Sequence, residues 1–300
     1  MKRVCISVFF VFFLFVGFFS NLSAKELPKD LIMFEKSYPD ITFKENYDDK
    51  LDDWKLELTM AKWLGGKKTK SAVFYWADSR MLPKEELANI KKYTPLLYEY
   101  SKTLRDPKSL TKAEKDEIKK YSSESNRQDG PGAPTFFFDF VYSAETKESL
   151  VEHTTGVFFL KKETRIHERI KAPLKRVENK ILAYAKTDAA VRAFISNLKS
   201  TDAYHWRIIA GTKRKSFHSY GIAIDVLPKK RGGKEIFWSW TKQNVGDKWI
   251  MTKLSARWMP PKKVIQAFES EGFIWGGKWA IWDNMHFEYR PELIKYNNIN

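Results

Sequence analysis

Cysteine is almost absent from this sequence. The single one, Cys5, lies in an apolar amino-terminal segment, so a chain that has lost this segment forms no internal disulfide. Internal repeats and low-complexity tracts are also missing. Stability must therefore come from an ordinary apolar core, and a chain of 300 residues can bury one large core or two smaller ones.

Acidic residues are few compared with basic ones. The sequence has 37 Asp and Glu against 53 Lys and Arg, which gives a formal net charge of +16, or +14 without Lys2 and Arg3. A field of this sign attracts polyanions such as nucleic acid, anionic lipid, or the carboxylates and phosphates of a bacterial envelope. The alternative is that most of the lysines form a solvated surface. We expect an anionic envelope surface as a partner and no nucleic acid, because the chain begins with an export signal.

That signal occupies residues 1–24. Lys2 and Arg3 precede an apolar run, Val4 to Phe19, and small and polar residues follow as far as Ala24, which is typical of a secretory signal peptide. The run is slightly short for a membrane-spanning helix, which needs about 20 residues. The sequence thus predicts an exported, periplasmic or secreted protein, with an uncleaved membrane anchor as the alternative.

The organisation of the chain changes near residue 165. Residues 25–165 are predicted to form a mainly helical region of unknown role, because Leu87, Ile90 and Tyr93 follow helical spacing and a capping box joins Thr111 to Glu114. The other elements predicted in this region are an exposed loop over Ser122 to Thr135 and two strands, Phe136 to Tyr142 and Gly156 to Leu160.

Residues 166–300 are predicted to form a compact α+β unit. Helical spacing runs through Leu174 to Tyr184 and Val191 to Leu198, and Pro261 opens a third helix. The predicted strands are Tyr204 to Ile209, Gly221 to Leu227, Phe273 to Trp275, and Met285 to Tyr289. A small, mostly antiparallel sheet flanked by helices is the simplest arrangement.

Two candidate metal ligands lie in this unit. His218 stands before a predicted strand, and Asp225 lies inside it between Ile224 and Val226. A buried carboxylate needs a compensating partner, and a metal ion is one of the few suitable ones. Gly221 allows a tight turn that brings His218 towards Asp225. By itself this spacing is weak evidence for a metal site.

A third candidate ligand strengthens the hypothesis. His286 lies in the last predicted strand, three residues after Asp283. Two histidines and one aspartate leave a fourth zinc position open, as in catalytic rather than structural zinc sites. Asp283 then has a role as general base for the attacking water.

These residues carry a family resemblance. Ser216-x-His218-x-x-Gly221-x-Ala223-x-Asp225, together with Asp283-x-x-His286-Phe287-Glu288, resembles the VanY-type zinc metallopeptidases, which include D-alanyl-D-alanine carboxypeptidases, dipeptidases and L-alanyl-D-glutamate endopeptidases. The resemblance covers roughly residues 166–300. It implies one zinc ion per chain held by His218, Asp225 and His286, with Asp283 as the catalytic base. It also implies an upstream arginine that stabilises the oxyanion; Arg207 matches best, with Arg214 as the alternative.

The resemblance also bears on the substrate, a peptide of peptidoglycan. Gly272-Phe273-Ile274-Trp275-Gly276-Gly277-Lys278-Trp279 is similar to a stretch of the endopeptidase branch, and the base is Asp where the carboxypeptidase branch typically carries Glu. Both features favour an L-alanyl-D-glutamate endopeptidase. The family stretch usually has Asp where Lys278 stands, so a D-alanyl-D-alanine carboxypeptidase stays possible. A non-catalytic wall-binding protein is the alternative from another functional class.

The remaining notable residues have several interpretations. Ser216, Glu288 and Trp275 are candidates for supporting the ligands or contacting substrate. His153, His167 and His205 lack metal-ligand spacing and are expected in ordinary packing or surface roles. Four tryptophans are able to line a glycan groove or pack in the core: Trp238, Trp240, Trp249 and Trp258. No protein partner is predicted.

Overall fold

The computed structural model describes residues 25–61 and 69–299. The predicted signal peptide therefore lies outside the described residues. The β-strands are β1 (Ile41–Asp48), β2 (Asp53–Met60), β3 (Lys70–Tyr75), β4 (Thr154–Phe159), β5 (Lys162–His167), β6 (Leu198–Asp202), β7 (Ala223–Pro228), β8 (Phe273–Trp275) and β9 (His286–Tyr289).

The α-helices are short apart from one of 15 residues, α6. They are α1 (Lys29–Glu35), α2 (Lys112–Tyr121), α3 (Glu124–Asp129), α4 (Phe136–Val141), α5 (Lys147–Val151), α6 (Lys171–Ala185), α7 (Ala189–Asn197), α8 (Trp238–Val245), α9 (Lys262–Glu269) and α10 (Pro291–Tyr296). The longer 3-10 segments are Lys84–Lys92, Phe217–Tyr220 and Gly246–Met251.

The amino-terminal region contains a three-stranded antiparallel sheet in the order β1-β2-β3, which the sequence did not predict. Leu56, Leu58 and Met60 alternate with more exposed residues along β2, as in a strand with one buried face. The prediction of a mainly helical region is thus only partly correct. Charged side chains such as Lys55 and Glu57 occupy the outer face of β2, so its alternating apolar residues were not recognised as a strand.

Three other sequence predictions are wrong. The aromatic run at Phe136 is helix α4, because a short apolar run buried on most sides has no diagnostic periodicity. The predicted loop over residues 122–135 contains α3, which is capped by the Ser123 side chain. Residues Tyr204–Ile209 do not form a strand: within them Ile208 makes an isolated bridge to Lys215, and the strand of the sheet is the preceding segment, β6.

Most elements near the candidate site are confirmed. Helices α6, α7 and α9 cover the predicted segments, and the Asp188 side chain caps α7 by accepting from the backbone N–H of Ala190 and Val191. The capping box of Thr111 and Glu114 begins α2. The strands predicted at Gly156, Gly221, Phe273 and Met285 correspond to β4, β7, β8 and β9.

The carboxy-terminal sheet has four strands in the order β6-β7-β9-β8, and every neighbouring pair is antiparallel. Helix α9 packs on β8, the β4-β5 hairpin packs on β6, and α6 packs on α9, α7 and β4. The predicted α+β class, with a small antiparallel sheet flanked by helices, is confirmed. The sheet places the strands that carry Asp225 and His286 side by side.

One apolar core runs through both regions of the chain. It contains Leu31 and Phe34 of α1 and Phe137 of α4 together with Phe273 and Phe287 of the carboxy-terminal sheet. Within the described ranges, no helix combines the length and apolar character needed to cross a membrane.

Candidate metal centre

The three candidate ligands come from two neighbouring strands of the carboxy-terminal sheet and from the turn that precedes one of them. His218 lies in the 3-10 turn Phe217–Tyr220, Asp225 lies in β7, and His286 begins β9 directly opposite Asp225. Gly221 connects the turn to β7 with a positive φ of 67°, as its predicted tight turn requires. A Cβ atom at Gly221 would lie 2.8 Å from the backbone nitrogen of His167, so a larger residue does not fit.

The ligand atoms converge at distances that suit a tetrahedral zinc ion. His218 Nε2 lies 3.2 Å from His286 Nδ1 and 3.3 Å from Asp225 Oδ1, and His286 Nδ1 lies 3.0 Å from the same oxygen. Zinc with ligand bonds of about 2.0 to 2.2 Å holds its ligand atoms roughly 3.3 Å apart. The spacing of this buried group therefore fits one metal ion.

The outer nitrogen of each histidine faces an acceptor. His218 Nδ1 lies 2.6 Å from the carbonyl oxygen of Ala203, and His286 Nε2 lies 3.1 Å from Glu288 Oε2. With a metal bound, each outer nitrogen would carry the proton, and the inner nitrogens, His218 Nε2 and His286 Nδ1, would offer their lone pairs to the ion. Three electron-pair donors facing one another repel unless a cation lies between them.

The charge balance of the group also favours a cation. Burial lowers the pKa of His286, but Asp225 and Glu288 outweigh it and raise the pKa to about 10. Burial likewise works against ionisation of Asp225, yet His218 and His286 hold its pKa well below the usual range. The site therefore binds positive charge strongly, either as a proton or as a metal ion.

Asp283 lies beside the ligands without joining them. Its backbone N–H donates to Gly276 O at 3.0 Å, and its own carbonyl accepts from His286 N at 3.3 Å. Burial, followed by the negative charge of Asp225, raises the pKa of Asp283 to about 7. In the described part of the chain its Oδ1 atom is buried without a hydrogen-bond partner. Such a carboxylate is suited to exchanging a proton near neutral pH.

Arg207 is near enough to this centre for its positive charge to lower the pKa of Asp283, against the larger effect of burial. Its backbone is fixed by Ser219, whose hydroxyl accepts from Arg207 N at 2.9 Å and donates to Arg207 O at 2.8 Å. The alternative, Arg214, points elsewhere and donates to the carbonyl of Asn126 at 2.9 Å. The geometry thus favours Arg207 over Arg214 at the site.

A groove of about 440 Å³ opens at the ligands. His218 and Asp225 lie in its wall. The charged side chains around them come from β5, from the end of β6 and from the segment that follows it, namely Glu163, Arg165, Asp202 and Arg207. Both signs of charge therefore surround the candidate ligands, so the groove suits a ligand that carries both.

The predicted supporting residues have distinct positions. The Ser216 hydroxyl accepts from the backbone N–H of His218 at 3.3 Å and so caps the turn that carries this ligand. Glu288 contacts the outer nitrogen of His286. Trp275 is fully buried and donates from Nε1 to Asn284 O at 3.0 Å, which places it in the support of the Asp283 loop rather than in the groove.

Two residues near the ligands were not singled out from the sequence. The ring of Trp279 packs on that of His286, with the ring centroids 5.4 Å apart. Its position in the Gly-Gly-x-Trp stretch is the sequence feature that could have indicated it. Ser219 occupies a variable position of the motif, so nothing in the sequence pointed to its bonds with Arg207.

The other histidines and tryptophans are mostly structural. His167 is buried with Nε2 3.2 Å from Tyr142 O, and burial lowers its pKa to about 3. Trp238 and Trp249 pack together at 5.0 Å in a buried cluster, and Trp258 stacks on Phe194. His205 lines the groove, and of the four tryptophans considered from the sequence Trp240 is the exposed one.

Comparison with known families agrees with this geometry. Residues 210–289 match a peptidase family model described as D-alanyl-D-alanine carboxypeptidase. The resemblance to the VanY-type zinc metallopeptidases is confirmed. The matched segment contains His218, Asp225, Asp283 and His286, whereas Arg207 precedes it. Zinc is the metal expected of a VanY-type peptidase, and the donor set of two nitrogens and one carboxylate oxygen fits it.

A second segment matches a different family model. Residues 30–98 match a domain of unknown function (DUF8518), which spans α1, the β1-β2-β3 sheet and the 3-10 segment Lys84–Lys92. No solved structure matches the chain. The division into regions 25–165 and 166–300 stays a prediction, and the β4-β5 hairpin crosses that boundary.

Proposed function

We propose that the chain is an exported zinc peptidase that hydrolyses amide bonds in the stem peptides of peptidoglycan. The observation that carries this proposal is the convergence of His218 Nε2, Asp225 Oδ1 and His286 Nδ1 beside the buried Asp283 carboxyl group. A metal-binding protein without turnover has no need of an acid with a raised pKa at that point. Catalysis is therefore favoured over wall binding alone.

The residues divide the chemistry between them. A zinc ion held by His218, Asp225 and His286 would supply Lewis acidity, which would polarise the scissile carbonyl and make water more acidic. Asp283 takes the proton from the attacking water and delivers it to the leaving amine, for which a pKa near 7 is well placed. Arg207 offers its guanidinium to the oxyanion that develops on the carbonyl.

An L-alanyl-D-glutamate endopeptidase is the specific activity we favour, with a D-alanyl-D-alanine carboxypeptidase as the alternative. The Gly276-Gly277-Lys278-Trp279 stretch and the Asp base support the former. Both substrates present a free carboxylate next to the scissile amide, which Arg165 and Arg207 in the groove are able to neutralise. Glu163 and Asp202 suit an amino group elsewhere on the peptide.

The surface also suits an envelope polymer. Trp240 is 44% exposed and lines a depression of about 560 Å³ together with Arg231, Lys234 and Asn244. An exposed aromatic face next to cations and an amide is favourable for a sugar ring with polar substituents. The net charge of +16 supports attraction to an anionic wall.

Digestion of purified peptidoglycan tests the function and the bond together. We expect the zinc-loaded protein to hydrolyse the bond between L-alanine and D-glutamate. Mass spectrometry of the products would detect the new carboxyl terminus on L-alanine and the new amino terminus on D-glutamate. The His286→Ala variant under the same conditions controls for contaminating hydrolases. Loss of a terminal D-alanine alone would transfer the activity to the carboxypeptidase class, and binding without any cleavage would favour the non-catalytic alternative.

Arg207→Lys is expected to lower turnover by about a hundredfold while zinc stays bound. Lysine keeps the charge but not the planar fork of donors that meets a developing oxyanion. Steady-state kinetics on a stem-peptide substrate, with metal analysis of the same samples, measures both quantities. Arg214→Lys is the matched control, because Arg214 donates to backbone carbonyls away from the groove. Equal turnover of the Arg207 variant and wild type would remove Arg207 from the mechanism.

A further inference from the structure

A buried chain of charged groups extends from His286 away from the groove. His286 Nε2 lies 3.1 Å from Glu288 Oε2, and Glu288 Oε1 accepts from Arg290 Nη1 at 3.3 Å. Arg290 Nε donates in turn to Glu292 Oε1. The hydroxyl of Tyr38 closes the chain by donating to Glu292 Oε2 at 2.8 Å. The metal ligand is thus connected, bond by bond, to the region just after helix α1.

Burial makes each of these contacts important. Glu288, Arg290, Glu292 and Tyr38 are at most 3% exposed. A buried charge that loses a partner is left incompletely compensated, which costs far more than the loss of a similar bond at the surface. Each member therefore fixes the position of the next one. The last carboxylate, Glu292, depends on Tyr38 for one of its donors.

The amino-terminal segment reaches this chain at two points. Tyr38 bonds Glu292, and the carbonyl oxygen of Leu96 accepts from Arg290 Nη2 at 3.0 Å. Both residues belong to the segment that matches the domain of unknown function, near its two ends. Arg290 and Glu292 both follow the segment that matches the peptidase family model. These bonds therefore form only in a polypeptide that contains both the segment of unknown function and the residues after the peptidase match.

Tyr38 itself is rigidly held. Its ring packs edge-on against Phe137 at 4.8 Å and lies 5.4 Å from Phe34. Helix α1, which carries Phe34, packs on α10, which carries Glu292. The hydroxyl is therefore presented to Glu292 from a fixed position in the core.

The net charge of these hydrogen-bonded buried groups also matches a divalent ion. The groups from Asp225 to Glu292 include three carboxylates and one guanidinium, so they carry two negative charges once metal binding holds both histidines neutral. A bound Zn²⁺ balances them. In metalloenzymes, partners of this kind fix the orientation and the tautomer of a ligating histidine.

We propose that residues 30–98 act as a positioning element for the metal centre. Through Tyr38 and the Leu96 carbonyl they hold Arg290 and Glu292, which keep Glu288 on the outer nitrogen of His286. Tyr38 is a positioning residue that touches neither metal nor substrate. The inference rests on the proposed zinc site and adds a role for the segment of unknown function.

Tyr38→Phe tests the proposal by zinc affinity, independently of catalysis. The substitution removes one hydroxyl and keeps the ring. Loss of a direct partner of a ligand typically weakens metal binding by about 10- to 100-fold, so loss of a more distant one is expected to weaken it by roughly 3- to 10-fold. Competition with a chromophoric chelator gives the zinc dissociation constant. The visible spectrum of the cobalt-substituted protein reports ligand geometry.

The matched control is Tyr100→Phe. Tyr100 is equally buried and also comes from the amino-terminal region. Its hydroxyl donates to the buried Glu269 at 2.5 Å and accepts from the backbone N–H of Trp275 at 2.8 Å, and neither partner is a metal ligand. Glu269 pairs with Lys278 and has no bond to a metal ligand. We expect this variant to lose similar stability in the metal-free state, yet to bind zinc within about twofold of wild type and keep the wild-type cobalt spectrum.

The outcomes separate this inference from the proposed function. Wild-type affinity in the Tyr38 variant, or equal weakening in both variants, would overturn the positioning role. Failure of the wild-type protein to bind zinc would instead refute the zinc peptidase itself. Glu292→Gln is a second variant on the same chain, and it is expected to weaken zinc binding at least as much as Tyr38→Phe does.

Discussion

Asp283→Asn is expected to lower the turnover number on peptidoglycan fragments by about 10² to 10⁴-fold while zinc stays bound. Asparagine is nearly isosteric with aspartate but cannot accept a proton from water at neutral pH. The backbone bonds of Asp283 with Gly276 and His286 do not involve the side chain, so the fold is retained. Residual turnover is expected, because the metal and Arg207 still stabilise the transition state.

The control for this variant is Asp202→Asn. Asp202 lines the groove and carries the same charge, but it is assigned to binding an amino group of the peptide, so its loss is expected to raise KM rather than to remove proton transfer. Its turnover number at saturating substrate is expected to stay within a few-fold of wild type. Steady-state assays measure the turnover number of both variants, and metal analysis measures the zinc content of each. If Asp283→Asn kept a rate within a few-fold of wild type, the proposed mechanism would be abandoned.

His218→Ala and His286→Ala are expected to abolish zinc retention and, with it, all peptidase activity above background. Each removes one of three protein ligands, which is expected to weaken binding by more than the roughly 10- to 100-fold that loss of a ligand's hydrogen-bond partner causes. Metal analysis after dialysis against a mild chelator measures the effect, and about one zinc per chain is expected for wild type.

His205→Ala provides the comparison for both histidine variants. His205 lines the same groove but is not one of the converging ligands. It is expected to retain about one zinc per chain. Full zinc occupancy in both His218→Ala and His286→Ala would sink the metal assignment, whatever their activity.

The candidate site was predictable because its chemistry lies in short motifs. Asp225 stands in an apolar strand where an unpaired carboxylate is unfavourable, and His286 stands in another, so the residue types themselves indicated a metal. The turn at Gly221 was predictable for a different reason, since glycine readily adopts the positive φ that a tight turn needs. The converging distances required the structure.

Other features had no local signal. The β1-β2-β3 sheet was missed because helical spacing farther along the chain, at Leu87 and Ile90, was extended to residues that alternate with the period of a strand. The bond between Tyr38 and Glu292 joins positions 254 residues apart, and no sequence pattern connects them. Long-range contacts of this kind depend on how the elements pack, which is not encoded in the spacing of one segment.

The cross-strand pairing of Asp225 with His286 has a consequence for folding. The two residues face each other across β7 and β9, with Ala223 opposite Glu288 on the same pair of strands. A slip of one residue would turn the side chains of one strand to the opposite face of the sheet. A metal ion that requires both ligands then binds only chains whose strands have paired in the native register. A bound metal ion would therefore stabilise the native pairing of β7 and β9 over a shifted one, because only the native register presents both ligands on one face.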